Sequence, residues 1–399
     1  MVICDLLTAT LRALHPRRFE TLVAENLRNS SDWWRDLGLD SLDRTSCALA
    51  VAEFFNVSES GEEDLLLLCR NAGQFAERVA RSRELATRDL TFRTSGSTAR
   101  PKRFRHSAHT LAVEAQAWAR LIMARYGRPK RILRAVPTHH IYGWIWAIEL
   151  ANAFGLALPE QDFNPLRPTD VDTTFEGALV LATPRHINHW RLARIALPGA
   201  CVVAAAGGFA QSEMAEPWRG ELAQALLEVY GSTETAGLGF RFDPGPYFWL
   251  DHIQPVIENG RVDAVLRLDP GGRLDRLVLP DHVIPDRDDP LRRFELGGRR
   301  DHVIKVSGER IDLSELAAEF LRVPGVQEAY LRPIEDGADT AVSVLLVSTS
   351  ESADLIEACR RLIADRPKLA RAIAHWDVRP APPLTETGKI ADWTRDRRD

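Results

Sequence analysis

Apolar positions along the chain change their spacing twice, and the changes divide it into three stretches. Residues 1 to about 85 read as wholly helical, with few strand-like runs. Within them Leu42, Thr45, Leu49, Ala52 and Phe55 recur at spacings of three or four, which predicts one buried helical face. A further helix is predicted over Ala72–Arg81. From Leu90 to about Leu296, short apolar runs alternate with helical stretches. Leu90-Thr91-Phe92, Ile132–Pro137, Ala178–Ala182, Cys201–Ala206 and Ala264–Leu268 read as strands, and the alternation predicts a layered α/β domain. A helix is expected over Pro217–Leu227, with Pro217 suited to its first position, leading into a short strand at Val229-Tyr230. From about Arg299, two strands (Val326–Arg332 and Thr340–Ser348), a helix (Ala353–Ala364) and a Pro-rich run (Pro380–Pro383) predict a small α+β lid. The expected fold is thus multidomain α/β, with a helical segment over 1–86, an abbreviated layered α/β core over 87–298 and a small α+β C-terminal lid over 299–399.

Composition narrows the function classes. A length of 399 residues allows two or three domains, and 45% hydrophobic with 27% charged residues is ordinary for a soluble globular chain. A net charge of −5 gives no electrostatic footprint for nucleic acid. No apolar run approaches the ~20 residues that span a bilayer, and the start Met1-Val2-Ile3-Cys4-Asp5 lacks the features of a signal peptide. The five cysteines are scattered, odd in number and without Cys-x-x-Cys spacing, which predicts reduced thiols in a cytoplasm and no structural zinc.

Four segments carry candidate chemistry. Thr94-Ser95-Gly96-Ser97-Thr98-Ala99-Arg100-Pro101-Lys102 follows a strand-like run. Small residues let backbone N–H groups approach phosphate oxygens, hydroxyls add donors, and Lys102 adds charge. By itself it could equally be a polar turn, and it does not spell a P-loop. Tyr230-Gly231-Ser232-Thr233-Glu234-Thr235 places a carboxylate and hydroxyls where a strand ends, the edge at which α/β folds collect ligands. Residues 298–316 form the third segment, and Leu384-Thr385-Glu386-Thr387-Gly388-Lys389-Ile390 the fourth.

In order and content these four resemble the adenylate-forming superfamily: acyl- and aryl-CoA synthetases, peptide-synthetase adenylation domains and luciferases. The resemblance covers residues 87–399 and specifies a reaction class, not a substrate. It implies ATP and Mg²⁺ as cofactors. It also implies that Thr94, Ser95, Gly96, Ser97, Thr98 and Lys102 cradle the pyrophosphate, although Ala99 and Arg103 replace two usual glycines. Tyr230, Gly231, Ser232 and Thr233 would meet the nucleotide, with the Tyr230 ring stacked on adenine and Thr233 on the α-phosphate. Glu234 would hold Mg²⁺, a hard cation served by one or two carboxylates plus phosphate oxygens. Gly207 would lie along the adenine and Gly208 beside the acyl pocket. His140, in Thr138-His139-His140-Ile141-Tyr142-Gly143-Trp144, would line the carboxylate site, and Tyr142 and Trp144 could wall a flat substrate or be core packing. Asp281 would bind the ribose, though Leu279-Pro280 replaces the usual Thr-Gly before it. Arg299 would join it there, Asp301 would be the hinge and Gly308 the point of thiol approach. Lys389 would stabilise charge on the α-phosphorus during adenylation.

Upstream, Asp36-Leu37-Gly38-Leu39-Asp40-Ser41-Leu42-Asp43 resembles the phosphopantetheine attachment sequence of acyl carrier proteins. It implies 4'-phosphopantetheine on Ser41; the same residues also fit an ordinary helix cap, with the segment serving as scaffold. A carrier-like head and a short core together resemble the AMP-ligases of aryl-polyene and xanthomonadin pathways. That narrower match implies a hydroxybenzoate-like acid and a carrier-protein acceptor. A fatty acyl ligase using CoA or a carrier, and an inactive adenylation-fold interaction module, are the alternatives.

Overall fold

A computed structural model of the chain describes residues 1–94, 102–158, 175–205, 223–242, 245–268, 271–272, 274–300, 303–306, 309–336, 339–349, 352–384, 390–391 and 393–394. The first stretch is helical as predicted: α1 (Val2–Leu14), α2 (Ala24–Asn29), α3 (Trp33–Asp36), α4 (Ser41–Phe55) and α5 (Ala72–Leu85). The Asp40 carboxylate caps α4, accepting from the N–H groups of Leu42 at 2.8 Å and Asp43 at 2.9 Å.

The predicted face of α4 is only partly the buried one: Phe55 and, in part, Ala52 are covered, but its N-terminal half faces solvent. Leu42 and Leu49 are 75% and 63% exposed, whereas Cys47, Ala48, Val51, Phe54 and Phe55 are buried. The sequence of α4 offers two apolar stripes, and tertiary packing selected the one carrying both phenylalanines. Phe54 meets Phe92 at 5.2 Å and Trp144 at 5.8 Å between ring centroids, so this helix is joined to the residues that follow it.

A hairpin comes next: β1 (Leu90–Arg93) pairs antiparallel with β2 (Arg103–His106). Helix α6 (Ala108–Tyr126) leads into a ten-stranded sheet. Its strands are β3 (Arg131–Arg134), β4 (Ala178–Ala182), β5 (Cys201–Ala205), β6 (Ala225–Ser232), β7 (Ala236–Arg241), β8 (Tyr247–Trp249), β9 (Ile253–Glu258), β10 (Arg261–Leu268), β11 (Leu274–Pro285) and β12 (Arg293–Arg299). They run in the order β3-β4-β5-β6-β7-β8-β12-β11-β10-β9. The first four are parallel, and the sense reverses at β6–β7. The layered α/β expectation therefore holds, with an antiparallel half added. The expected helix over Pro217–Leu227 fails at its end: Ala225, Leu226 and Leu227 pair in register with Cys201, Val202 and Val203, and burial beside β5 overrides the helical preference of leucine.

Buried side chains of α1, α4 and α5 form one continuous hydrophobic core with those of the sheet. Leu7 and Leu11 of α1, Val51 of α4, Phe75 of α5, Trp118 of α6 and Phe294 of β12 all belong to it. A second, separate core lies in the C-terminal part. There β13 (Val303–Val306) pairs with β14 (Glu309–Asp312), and β15 (Glu328–Asp336), β16 (Asp339–Val347) and β17 (Ile373–Arg379) form a three-stranded sheet. Helices Leu313–Phe320 and Ser352–Leu362 pack on it, as the α+β expectation required. All five cysteines are free and buried, and no described helix is long and apolar enough to cross a membrane.

Candidate functional site

Two motifs separated by more than a hundred residues meet at one hydrogen bond. The β1–β2 hairpin brackets the Thr94–Lys102 loop, and its base is closed twice: Thr94 N–H donates to the Lys102 carbonyl at 2.9 Å, and Lys102 N–H donates to Thr94 Oγ1 at 3.0 Å. At the end of β2, His106 Nε2 donates to the Thr233 carbonyl at 2.8 Å. A carbonyl can only accept, so this bond fixes the ring proton on Nε2. Burial holds the His106 imidazole below its usual range, which keeps it neutral in that role.

The Tyr230–Thr235 turn joins β6 to β7 and is tightly constrained. Ser232 and Thr235 clasp each other, Ser232 N–H to Thr235 Oγ1 at 3.2 Å and Thr235 N–H to Ser232 Oγ at 3.2 Å. Ala236 closes the turn at φ 57°, a left-handed conformation that costs a non-glycine residue energy and concentrates at functional sites. A Cβ at Gly231 would lie 2.2 Å from the Ala236 carbonyl oxygen, so only glycine permits this closure. Thr233 and Glu234 sit partly exposed at the tip, and Glu234 is held by no hydrogen bond or ion pair among the described residues. A lone free carboxylate fits Mg²⁺ that takes its other ligands from phosphate and water. It does not build a protein cage, and among the described residues no cluster of three acidic, His or Cys ligands exists.

Around the turn lie a buried carboxyl and a buried guanidinium, Glu114 and Arg267, that no motif announced. Both Glu114 oxygens accept from Gly237 N–H at 3.0 Å, and Trp118 Nε1 donates to the same carboxylate at 3.0 Å. Arg267 donates to the Thr235 carbonyl. Burial pushes the Glu114 carboxyl up to about 7, against the pull of Arg267, Trp118 and Gly237 N–H. Because the folded pKa lies above the unfolded one, this group's contribution to stability is complete below about pH 4.5 and is lost as pH rises to about 7. Glu114→Gln should therefore be less dependent on pH than the parent across that window, measured as the difference in urea midpoints; parallel curves would contradict this.

Tyr230 departs from the stacking expectation. It is 3% exposed, packed among Tyr247, Trp249 and Phe294, and its hydroxyl donates to Asp281 Oδ2 at 3.1 Å. The side chain offers an oriented hydroxyl, since its ring is buried among aromatic residues of β8 and β12. Asp281 itself sits on β11 in register with Arg299 of β12, and Arg300 Nε donates to the Asp281 carbonyl at 3.0 Å. The two proposed ribose-binding positions are thus cross-strand neighbours.

His140 precedes the helical turn Ile141–Trp144, its ring 4.3 Å from that of His139. Burial drops His139 to about 4, so it is neutral at physiological pH. Tyr142 is partly buried; burial pushes its phenol upward, and the Ala182 backbone at the carboxyl end of β4 contacts its hydroxyl. Trp144 turns the other way: it packs on Phe54 and Phe55 of α4 and donates to Glu149 at 2.9 Å, which makes it core rather than pocket wall. Ser95, Gly96, Ser97, Thr98, Gly207, Gly208, Asp301, Gly308 and Lys389 lie outside the described residues, as does the Arg299 side chain.

Comparison with known proteins gives the family. A family model described as "AMP-binding enzyme" matches residues 77–262. A 4-coumarate–CoA ligase of Cereibacter sphaeroides is 32% identical over 392 residues, covering 96% of this chain and 88% of the relative. A second, of Rhodobacter capsulatus, is 30% identical and covers 90% of each chain. Among solved structures, the Bacillus subtilis O-succinylbenzoate–CoA synthetase in complex with AMP matches with a TM-score of 0.59 at 15% identity, over 99% of this chain and 92% of that one. An amide bond synthetase of Marinactinospora thermotolerans matches with a TM-score of 0.55 at 16% identity, over 94% of each chain. With relatives of this kind along nearly its whole length, the chain belongs to the AMP-binding, adenylate-forming enzyme family and is an AMP-forming acid–thiol ligase.

Proposed function

We propose that the enzyme activates an aromatic, hydroxybenzoate-like carboxylic acid as its acyl-AMP and transfers the acyl group to a phosphopantetheine thiol. The observation that carries this reading is the bond between His106 and Thr233, which joins the Thr94–Lys102 hairpin to the Thr233–Glu234 turn. That bond brings the base of the phosphate-directed segment beside the turn that carries Glu234. The names of two relatives, both 4-coumarate–CoA ligases, favour a planar aromatic acid.

In the first half-reaction the carboxylate attacks the α-phosphorus of ATP and pyrophosphate leaves. Lys102 and Thr94 hold the departing phosphates, Thr233 the α-phosphate, and Asp281 with Arg299 the ribose. Glu234 would hold Mg²⁺, which supplies charge neutralisation on the phosphate oxygens when bound. His140 lines the carboxylate. In the second half-reaction the lid turns about Asp301, and the thiol approaching past Gly308 attacks the acyl carbonyl, releasing AMP. CoA and a carrier protein present the same thiol; the relatives' names favour CoA, and the sequence around Ser41 favours a carrier. Ser41 is exposed at the first position of α4, open to a transferase.

ATP–pyrophosphate exchange against a panel of hydroxybenzoates, cinnamates and fatty acids tests the reading. Exchange with an aryl acid at more than about tenfold the fatty-acid rate is expected, a difference of 1.4 kcal/mol in specificity. Preference for a long-chain acid would move the assignment to a fatty acyl ligase, and no exchange with any acid would leave an inactive module. Thioester formation with CoA set against a phosphopantetheinylated carrier names the acceptor. Intact mass after co-expression with a transferase shows whether Ser41 is loaded.

A further inference from the structure

The residues that grip the candidate phosphate hairpin come from the N-terminal helical segment. In the β1–β2 register Arg93 lies directly opposite Arg103, one step outside Thr94 and Lys102. Like charges facing each other across a strand pair drive the strands apart. Glu53 of α4 sits between them: Arg93 Nε and Nη2 donate to its two oxygens at 2.5 and 2.6 Å, and Arg103 Nη2 lies 2.8 Å from the second. The bidentate fork fixes direction as well as distance. One turn further on, the Asn56 amide donates to the Asp89 carbonyl at 2.9 Å and accepts from Thr91 Oγ1 at 2.8 Å, while Glu59 and Asp89 both bind Arg105. The hairpin is therefore held on one side by residues 53–59 and on the other by the bond from His106 to Thr233.

We infer that Glu53 is a positioning residue for the nucleotide site: by neutralising the facing Arg93 and Arg103 it keeps the hairpin base closed and sets the bearing of Thr94 and Lys102. The inference rests on the ligase reading above. It also gives the carrier-like segment a duty in the first half-reaction, since the helix that begins at Ser41 is the one that grips the hairpin. The clamp lies at the surface, with side-chain exposures of 52% for Arg93, 64% for Arg103 and 21% for Glu53, so it adds little to global stability. Its effect is on geometry.

Calorimetric titration of the full chain with ATP and with AMP, in the absence of any acid, tests this. AMP lacks the phosphates that Thr94 and Lys102 meet, so the two ligands separate the clamp from a general loss of structure. Glu53→Gln should weaken ATP binding about tenfold, change AMP binding less than about twofold, and shift the melting temperature by no more than about 2 °C. Removing one of the opposed charges as well, in Glu53→Gln with Arg93→Gln, should recover part of the ATP affinity. Unchanged ATP affinity in Glu53→Gln, or equal weakening of ATP and AMP, would overturn the inference. A parent protein that binds neither nucleotide would instead overturn the ligase reading, and this one with it.

Discussion

Replacing Lys389 by alanine is expected to slow acid-dependent ATP–pyrophosphate exchange by about 10²–10³-fold while leaving thioester formation from preformed acyl-AMP largely intact. A carboxylate is a weak nucleophile, and its attack gathers negative charge on the α-phosphate. A cation brought to that charge only when the lid closes stabilises the transition state more than the ground state. The second half-reaction starts from an acyl-AMP in which that charge problem is already solved, so the same lysine is dispensable there. The residues flanking this position are anchored to the C-terminal unit: Leu384 bridges Ile390, Ala391 N–H donates to the Pro383 carbonyl at 2.9 Å, and Trp393 donates to Ser343 at 3.0 Å. Single-turnover assays of each half-reaction decide the matter, and normal adenylation by the variant would remove Lys389 from the mechanism.

The largest stability effect is expected at Asp5. This carboxylate of α1 accepts from Arg134 at 2.7 Å, from the Thr138 N–H at 2.9 Å and from the Thr138 hydroxyl at 2.5 Å. Both members of the ion pair are almost completely buried, with side-chain exposures of 5% for Asp5 and 2% for Arg134. Asp5→Ala would strand a buried guanidinium and a backbone donor, a loss of about 3–5 kcal/mol. Replacing the pair together, Asp5→Leu with Arg134→Met, should recover much of that, because the cost arises from the unpaired charge. Urea unfolding of the two variants separates these effects. A parental midpoint for Asp5→Ala would refute the burial argument. The loop that Asp5 holds runs directly into His139 and His140, so the single variant should also lose carboxylate binding before it loses fold.

What could be read from the chain depended on how local the determinants were. Tyr230–Glu234 and Leu384–Ile390 stood out as candidate segments because each is contiguous, and the β4 and β10 strands were legible because buried apolar runs announce themselves. Glu53, Glu114 and Arg267 were not. Each works through a partner far along the chain, as Glu53 does through Arg93 and Glu114 through Gly237, and a lone acidic residue on a helix carries no sign of its partner. Leu42 and Leu49 misled for a related reason: periodicity reveals that a helix has apolar stripes, but the neighbouring element decides which stripe is buried. Tyr230 was assigned to ligand contact by its place in a motif, and the core claimed its ring instead; of the two readings open for Trp144, core packing is the one its neighbours favour. One signal was available in the sequence, since arginines at 93 and 103 bracket the Thr94–Lys102 loop and call for an acidic counterpart.

The long reach from Asp5 to Arg134 has a consequence for synthesis. The apolar side of α1, with Ile3, Leu7 and Leu11, is covered by α2, α4 and α5 of the same segment, but the Asp5 carboxylate finds its partner only 129 residues later. At roughly 5–20 residues per second, that partner is made several seconds after the helix has left the ribosome. In that interval the carboxylate stays in water, and its burial must wait for Arg134. The helical segment should therefore gather its own apolar contacts first and gain its buried ion pair last, when the strand carrying Arg134 arrives.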